Sequence, residues 1–333
     1  MVMAVALASP PLPLPPPSSL KFSLSSRRSC RCTSTLSQGD LISSPPTTST
    51  TYRPAGLGNN TNDYQKLALV LKDYGVPTVI AKVSRIDWLR NAAGLLDSNY
   101  WRGTLRPRPV LDWYLKRVEE AVNDAKELAQ GSTLSLIGHS AGGWLARVYL
   151  QEFGISDVSL LLTLGTPHLA PPKGVSGVID QTRGLLDYVE KHCAKAVYTP
   201  EFRYVCIAGR YIQGARLLGS SDGDSSAAIV EIDQPVGEMT AISTSEPEST
   251  TLQARFIGQG YKQVCGQADV WGDGVVPEMS AHLDGALNIS LDGVYHSPVG
   301  SDDETRPWPS WELSRNVLGG ALSRHALARL RTF

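Results

Sequence analysis

The sequence predicts an α/β fold, with a mostly parallel, doubly wound sheet that carries helices on both faces. Short apolar runs rich in branched residues alternate with amphipathic segments along residues 61–291. A Gly-His-Ser-Ala-Gly pentapeptide, residues 138–142, stands between one such run and a helical segment. A Ser-, Asp- and Thr-rich stretch, 216–252, interrupts the alternation. Strands that read as continuous apolar runs between helices are typical of parallel sheets covered on both sides.

Each predicted helix has an apolar stripe and a recognisable end. The first spans 61–74 and stops at Gly75, and the second begins at Pro109 and ends at Gly131. A proline suits the first turn of a helix, and a glycine suits the position just after the last. The third predicted helix is 141–153.

The predicted strands are short apolar runs without helical periodicity. They are 77–83, 134–137, 158–164, 204–208 and 286–291. Residues 84–108 are expected to form a loop anchored by Trp88 and Trp101. The excursion 216–252 is expected to be either a flexible insertion or part of a lid.

The composition excludes several classes of protein. The chain has 333 residues, with 31 Lys and Arg against 32 Asp and Glu, and shows no basic stripe of the density that nucleic-acid binding requires. It has no run of 18 apolar residues that would span a membrane. Its five cysteines form neither a disulfide framework nor a CxxC pair for zinc. We expect no metal and no organic cofactor.

Residues 1–51 resemble a targeting leader. They hold 18 Ser and Thr, 8 Pro, four basic residues and one acid, Asp40. This composition is typical of an organelle transit peptide, and the Ser and Pro content favours the chloroplast over the mitochondrion. We therefore expect 1–51 to be a disordered transit peptide and 52–333 to be the folded domain. The alternative is a disordered tail without a targeting role.

The pentapeptide predicts a serine nucleophile. Ser140 follows a strand and opens a helix, which is the context that G-x-S-x-G requires. Gly138 and Gly142 allow the tight strand-to-helix turn that exposes the hydroxyl. The helix start also directs backbone N–H groups toward a developing oxyanion. His139 is expected to line the pocket wall.

His296 is the predicted general base. Sites built on this turn place the acid, and then the histidine, after the serine in the chain. His296 follows the last predicted strand, in a loop at the carboxyl edge of the sheet. The alternatives are His282, in a short helical segment, and His325, in a basic C-terminal segment.

Asp273 is the predicted acid that orients the base. It stands between Gly272 and Gly274 in a tight loop, so a carboxylate there could fix the imidazole tautomer. Asp269, four residues earlier, is the alternative.

The oxyanion donors are predicted to be the backbone amides of Leu57 and Ala141. Leu57 belongs to the loop Gly-Leu-Gly-Asn-Asn, 56–60, which precedes the first helix. The apolar strand that should lead into this loop is almost absent, since only residues 50–55 are available. Either the chain is trimmed there or 50–55 act as a poor substitute.

Together these motifs resemble lipase-like α/β-hydrolases of the PGAP1 and lecithin–cholesterol-acyltransferase types. The segments that carry the resemblance are GLGNN, GHSAGG, GTPH (165–168), GDGVVP and the His296 loop. GLGNNTNDY, the Trp-rich segments and VCGQADVWGDGVVP resemble a plant plastid group of such hydrolases. The similarity covers 53–307. It implies the triad Ser140, Asp273 and His296, and a pocket-wall role for His168.

The resemblance implies hydrolysis of carboxylic esters, with lipids or other hydrophobic acyl esters as substrates. Two alternatives stay open: acyl transfer by the same triad, and a non-catalytic ligand-binding protein on the same fold. We expect no nucleic-acid partner, and we leave peripheral membrane contact and the oligomeric state open.

Overall fold

The computed structural model describes residues 4–8, 60–73, 76–217 and 252–298. The strands in these ranges are β1 Ala4–Ala8, β2 Thr78–Ile80, β3 Leu134–His139, β4 Val158–Leu164, β5 Arg203–Arg210, β6 Ile212–Gln213, β7 Trp271–Gly272 and β8 Leu287–Asp292. The α-helices are α1 Gln65–Asp73, α2 Ser98–Arg102, α3 Asp112–Ala129, α4 Ala141–Phe153, α5 Leu185–His192, α6 Leu252–Cys265 and α7 Glu278–Ala281. Two 3₁₀ helices span Thr61–Tyr64 and Ile86–Leu96.

The main sheet has the strand order β2-β1-β3-β4-β5-β8. Strands β3, β4, β5 and β8 are parallel, as the sequence predicts, with Leu162 of β4 paired to Ile137 and Val205. Most of β3, β4 and β5 is buried, which explains why they read as continuous apolar runs. Their carboxyl ends meet at one edge of the sheet.

Helices cover both faces of the sheet. Because side chains alternate along a strand, Leu136 and Ile137 of β3 point to opposite faces. Leu136 packs in a core with residues of α3, α4 and α5, whereas Ile137 packs in a second core with residues of α1. The doubly wound arrangement is therefore confirmed. No helix in the described ranges is long and apolar enough to cross a bilayer.

The strand beside β3 comes from the first residues of the chain. In β1, Val5 pairs with Ile80 of β2 on one side and with Ile137 of β3 on the other, antiparallel to both. The prediction of disorder throughout 1–51 does not hold for 4–8. Residues 9–51 and the poor substitute strand 50–55 lie outside the described residues.

Residues 84–108 differ from the loop that the sequence predicts. They form the 3₁₀ helix Ile86–Leu96 and α2. A tertiary contact holds this segment against the core: Trp88 is buried and stacks on Tyr114 of α3 with ring centroids 5.4 Å apart. In contrast, α4 and β4 begin and end where the sequence predicts. Most of the predicted excursion, 218–251, lies outside the described residues.

Candidate active site

Ser140 occupies a strained turn between β3 and α4. Its backbone has φ 52° and ψ −131°, a conformation that a residue with a side chain rarely adopts. The turn is held by hydrogen bonds from the Ser140 N–H to the Leu164 carbonyl at 2.9 Å and from the Gly143 N–H to the Ser140 carbonyl at 3.1 Å. A Cβ at Gly138 would lie 2.5 Å from the Gly143 Cα, so the helix can approach the strand only because residue 138 is glycine.

Asp273 and His296 are in direct contact. The Nδ1–H of His296 donates to Oδ2 of Asp273 at 2.6 Å, and the His296 backbone N–H donates to the Asp273 carbonyl at 2.9 Å. The carboxylate is buried, so water competes little for this bond. This arrangement leaves Nε2 of His296 as the nitrogen that can accept a proton.

The Asp273 carboxylate is fixed by its own loop. Its Oδ1 accepts hydrogen bonds from the Val275 N–H at 3.0 Å and the Val276 N–H at 2.7 Å. The hydroxyl of Tyr261, on α6, accepts from the Gly274 N–H at 2.8 Å. Burial raises the pKa of Tyr261, which keeps this hydroxyl un-ionised. Tyr261 could not be predicted from the sequence, because nothing local links α6 to this loop.

Gly165, the first residue of the GTPH segment, leaves room for the Asp–His pair. It has φ +50°, and a Cβ there would lie 2.5 Å from Oδ2 of Asp273 and 3.0 Å from Nδ1 of His296. A larger residue would displace one of the two side chains. The motif was recognised in the sequence, but its steric role depends on the folded geometry.

His139 connects the serine turn to the His296 loop. Its Nε2–H donates to the His296 carbonyl at 2.8 Å, and its Nδ1 accepts from the Tyr64 hydroxyl at 2.9 Å. The His139 and His296 rings also pack with centroids 4.8 Å apart. Burial, and to a smaller extent the nearby His296, lowers the pKa of His139 well below its usual value. The ring is therefore uncharged. Since Ser140 is the next residue, it lies at the same edge of the sheet as His296.

Comparison with known proteins found one family match and one similar solved structure. Residues 108–198, which contain the Ser140 turn and the GTPH segment, match the family model described as a PGAP1-like alpha/beta domain. The parallel sheet with helices on both faces is that of an α/β-hydrolase fold, and the family match covers less than a third of the chain. The mature lipase BlEst2 of Bacillus licheniformis is similar at 18% identity over 72% of this chain and 82% of its own, with a TM-score of 0.35. No curated protein matches the chain.

The alternatives to Asp273 and His296 lie away from this pair. Asp269 forms an exposed ion pair with Arg216 at 3.2 Å, and no histidine of the described ranges is bonded to it. His282 contacts the Ser290 hydroxyl at 3.3 Å on the edge strand β8. His325 lies outside the described residues.

His168 is a core residue, not the pocket-wall residue that the resemblance implies. Its side chain has no exposed surface and contacts the Thr163 hydroxyl of β4 at 3.0 Å and the Cys206 sulfur of β5 at 3.5 Å. Burial, together with the charge of Arg147, lowers the pKa of His168 to about 3. The ring is therefore uncharged and lies against the neighbouring residues Thr163 and Cys206 of the sheet.

Of the two predicted oxyanion donors, one lies within the described residues. Ala141 is the first residue of α4, where a backbone N–H has no acceptor within its own helix. Gly142, the next residue of α4, is buried. Leu57 lies outside the described residues.

A small pocket opens beside the Asp–His pair. Its lining residues come from the ends of β3, β4 and β5 and from the two loops that hold the pair: His139, Leu164, Gly165, Ile207, Gly209, Asp273, Val294, Tyr295 and His296. Among the described residues, no group of three or more His, Cys, Asp or Glu side chains is placed to hold a metal ion.

Proposed function

We propose that this protein is a serine hydrolase that cleaves carboxylic esters through an acyl-enzyme, with Ser140 as nucleophile, His296 as base and Asp273 as the orienting acid. The observation that carries the proposal is the 2.6 Å contact between His296 and Asp273, at the sheet edge where the strained Ser140 turn lies. A buried carboxylate bonded to Nδ1 holds the imidazole in the tautomer that can take a proton at Nε2.

In the proposed reaction, Nε2 of His296 takes the Ser140 proton as Oγ attacks the ester carbonyl. The tetrahedral oxyanion receives the Ala141 N–H and, from the loop 56–60, the Leu57 N–H. Protonated His296 then gives its proton to the departing alcohol, which leaves an ester between Ser140 and the acyl group. Water activated by His296 cleaves that ester and restores the serine.

The surroundings of the site support a hydrophobic acyl group. Leu169, just after the GTPH segment, is 42% exposed, and Val275, two residues after Asp273, is 47% exposed. Exposed apolar side chains in the segments that follow Gly165 and Asp273 favour an apolar substrate over a sugar or a charged peptide.

The test is hydrolysis of p-nitrophenyl esters of increasing acyl length by the full chain. Ser140→Ala should lower kcat by roughly 10³-fold or more, as removal of a triad member does. Ser159→Ala is the matched control, because Ser159 lies at the opposite end of β4 and bonds to Thr133 at 3.0 Å. Adding a long-chain alcohol tests acyl transfer, since a transferase would form the new ester faster than the free acid. Equal rates for wild type and Ser140→Ala would contradict the proposal.

A further inference from the structure

The 3₁₀ helix Ile86–Leu96 presents apolar residues on two opposite sides. A 3₁₀ helix has three residues per turn, so residues three apart lie in one row. The row containing Trp88 and Asn91 faces the protein: Trp88 packs on Trp113 with centroids 5.0 Å apart, and Asn91 accepts from the Trp113 indole at 3.0 Å. This contact fixes which side of the helix faces outward.

Of the two rows that do not face the protein, one carries the Asp87–Arg90 ion pair and the other is apolar throughout. It consists of Ile86, Leu89, Ala92 and Leu95, all exposed, with Leu96 and Trp101 beside it. The exposed fractions are 73% for Ile86, 59% for Leu89, 92% for Leu96 and 70% for Trp101. We call these six residues the apolar ridge. Single exposed apolar side chains are common, but a contiguous set of this kind marks an interaction surface.

Trp101 is arranged to enter an apolar medium. Its indole N–H donates to the Leu95 carbonyl at 3.0 Å, so its polar group has a partner within the same segment. Burying a polar group that already has a hydrogen bond avoids the large cost of leaving it unsatisfied. The ridge could therefore leave water without losing a polar contact at Trp101.

The segment that carries the ridge is positively charged. Residues 82–108 contain six Lys and Arg against two acids, in a chain whose net charge is −1. Asp87 is paired with Arg90 at 3.4 Å. Arg102 and Arg106 are exposed, and neither forms an ion pair within the described part of the chain. A combination of exposed Leu, Ile and Trp with neighbouring arginines fits an anionic lipid surface.

The segment starts from the edge of the sheet that carries the site. Strands β2 and β3 run in the same direction, because β1 is antiparallel to both. The chain leaving β2 is tied back at that edge: the Val83 carbonyl accepts from the Thr61 N–H at 3.0 Å, and Arg85 pairs with Asp63 at 3.2 Å. Tyr64, next in the chain, is the residue that bonds to His139.

We propose that the apolar ridge docks this protein onto a membrane surface that contains anionic lipid. The apolar side chains enter the boundary between headgroups and acyl chains, and Arg102 and Arg106 lie against the lipid phosphates. Docking in this orientation would bring the Ser140 edge toward acyl esters in the bilayer. The role of docking in bringing Ser140 to its substrate rests on the proposed ester hydrolysis, whereas the docking itself does not.

The experiment is vesicle sedimentation of the full-length protein. One set of vesicles is phosphatidylcholine alone, and the other is equal parts phosphatidylcholine and phosphatidylglycerol. The wild type should partition onto the mixed vesicles at least about tenfold more strongly than onto phosphatidylcholine. Replacing Ile86, Leu89 and Leu96 together by Asn should lower that partition at least about tenfold without changing the melting temperature. Replacing Arg102 and Arg106 by Gln should remove the preference for phosphatidylglycerol.

The control replaces Leu128 and Ile155 by Asn. Both are exposed, at 55% and 51%, and both lie where helices end at the opposite edge of the sheet. This variant should bind vesicles as the wild type does. A triple variant that binds like the wild type, or a wild type that binds neither vesicle, would overturn the proposal. The proposal would also be overturned if the wild type bound no vesicles and formed a dimer, and the triple variant were a monomer. The ridge would then contact a second copy of the chain.

A water-soluble butyrate ester separates this proposal from the proposed function. The triple variant should hydrolyse it at the wild-type rate, because the ridge does not include a residue of the site. Vesicle binding without any soluble-ester hydrolysis by the wild type would overturn the proposed function and support the docking surface.

Discussion

The two flanks of the main sheet are built in different ways. On one flank, β3, β4, β5 and β8 are parallel and follow one another along the chain, and the ends of these strands carry Ser140, Gly165 and His296. On the other flank, β2 is joined to β3 through β1, which comes from the start of the chain and runs antiparallel to both. The first flank holds its site residues through short local loops. The second depends on a pairing between distant parts of the chain.

The two flanks therefore differ in what holds their functional side chains in position. The Asp273 carboxylate receives two backbone N–H bonds from its own loop, so its position survives changes far away. The position of Tyr64 depends on the other flank, because the residues around it bond to the chain that leaves β2. Changes on the parallel flank should therefore affect the reaction directly, and changes on the β1 flank should act first on stability.

The largest effect is expected on the parallel flank, from Asp273→Asn. An amide cannot hold the His296 tautomer as a carboxylate does, so kcat should fall by about 10³- to 10⁴-fold with little change in the melting temperature. Ester turnover and thermal melts provide the two readouts. Asp269→Asn is the control, because its carboxylate lies in an exposed ion pair with Arg216. Equal losses in the two variants would show that Asp273 has no special role.

The fold of the parallel flank could be predicted because its signals are local. Helix 141–153 has a glycine at its end, and strand 158–164 is an uninterrupted apolar run. Strand β1 could not be predicted, because its five residues look like the start of a leader and only pairing with β2 and β3 identifies them. The residues of the Asp–His pair were predicted as candidates, but their contact, across 23 positions, depends on the fold. The Tyr64–His139 bond spans 75 positions, and no local pattern indicates it.

An intermediate effect is expected on the β1 flank, from Val5→Pro. Val5 pairs on both sides, and proline lacks the N–H that an inner strand uses. The free energy of unfolding of the full chain should fall by about 1–3 kcal/mol, the cost of a buried backbone acceptor left without its donor, measured by urea denaturation. Val5→Ala, which keeps the N–H, is the matched control. If both variants unfold alike, the place beside β3 is filled in solution by another segment, such as 50–55.

The smallest effect is expected where the flanks meet, from Tyr64→Phe. The change removes the hydrogen bond to Nδ1 of His139, and a bond of this kind contributes about 0.5–1.5 kcal/mol. We expect kcat to fall about two- to tenfold with a smaller change in KM, because the lost bond acts through His139 on the position of the His296 loop. Tyr149→Phe serves as the control, since that ring stacks on Phe153 at the far end of α4. A larger change in KM than in kcat would show that Tyr64 acts on substrate binding.

The central claim is that Ser140 is the covalent nucleophile, activated by His296 and Asp273. Its most direct test is reaction of the full-length protein with a fluorophosphonate probe, followed by peptide mapping of the adduct. We expect one adduct, on Ser140, that is absent from Ser140→Ala and forms far more slowly in Asp273→Asn. An adduct on a different serine, or labelling of Ser140→Ala at the wild-type rate, would contradict it.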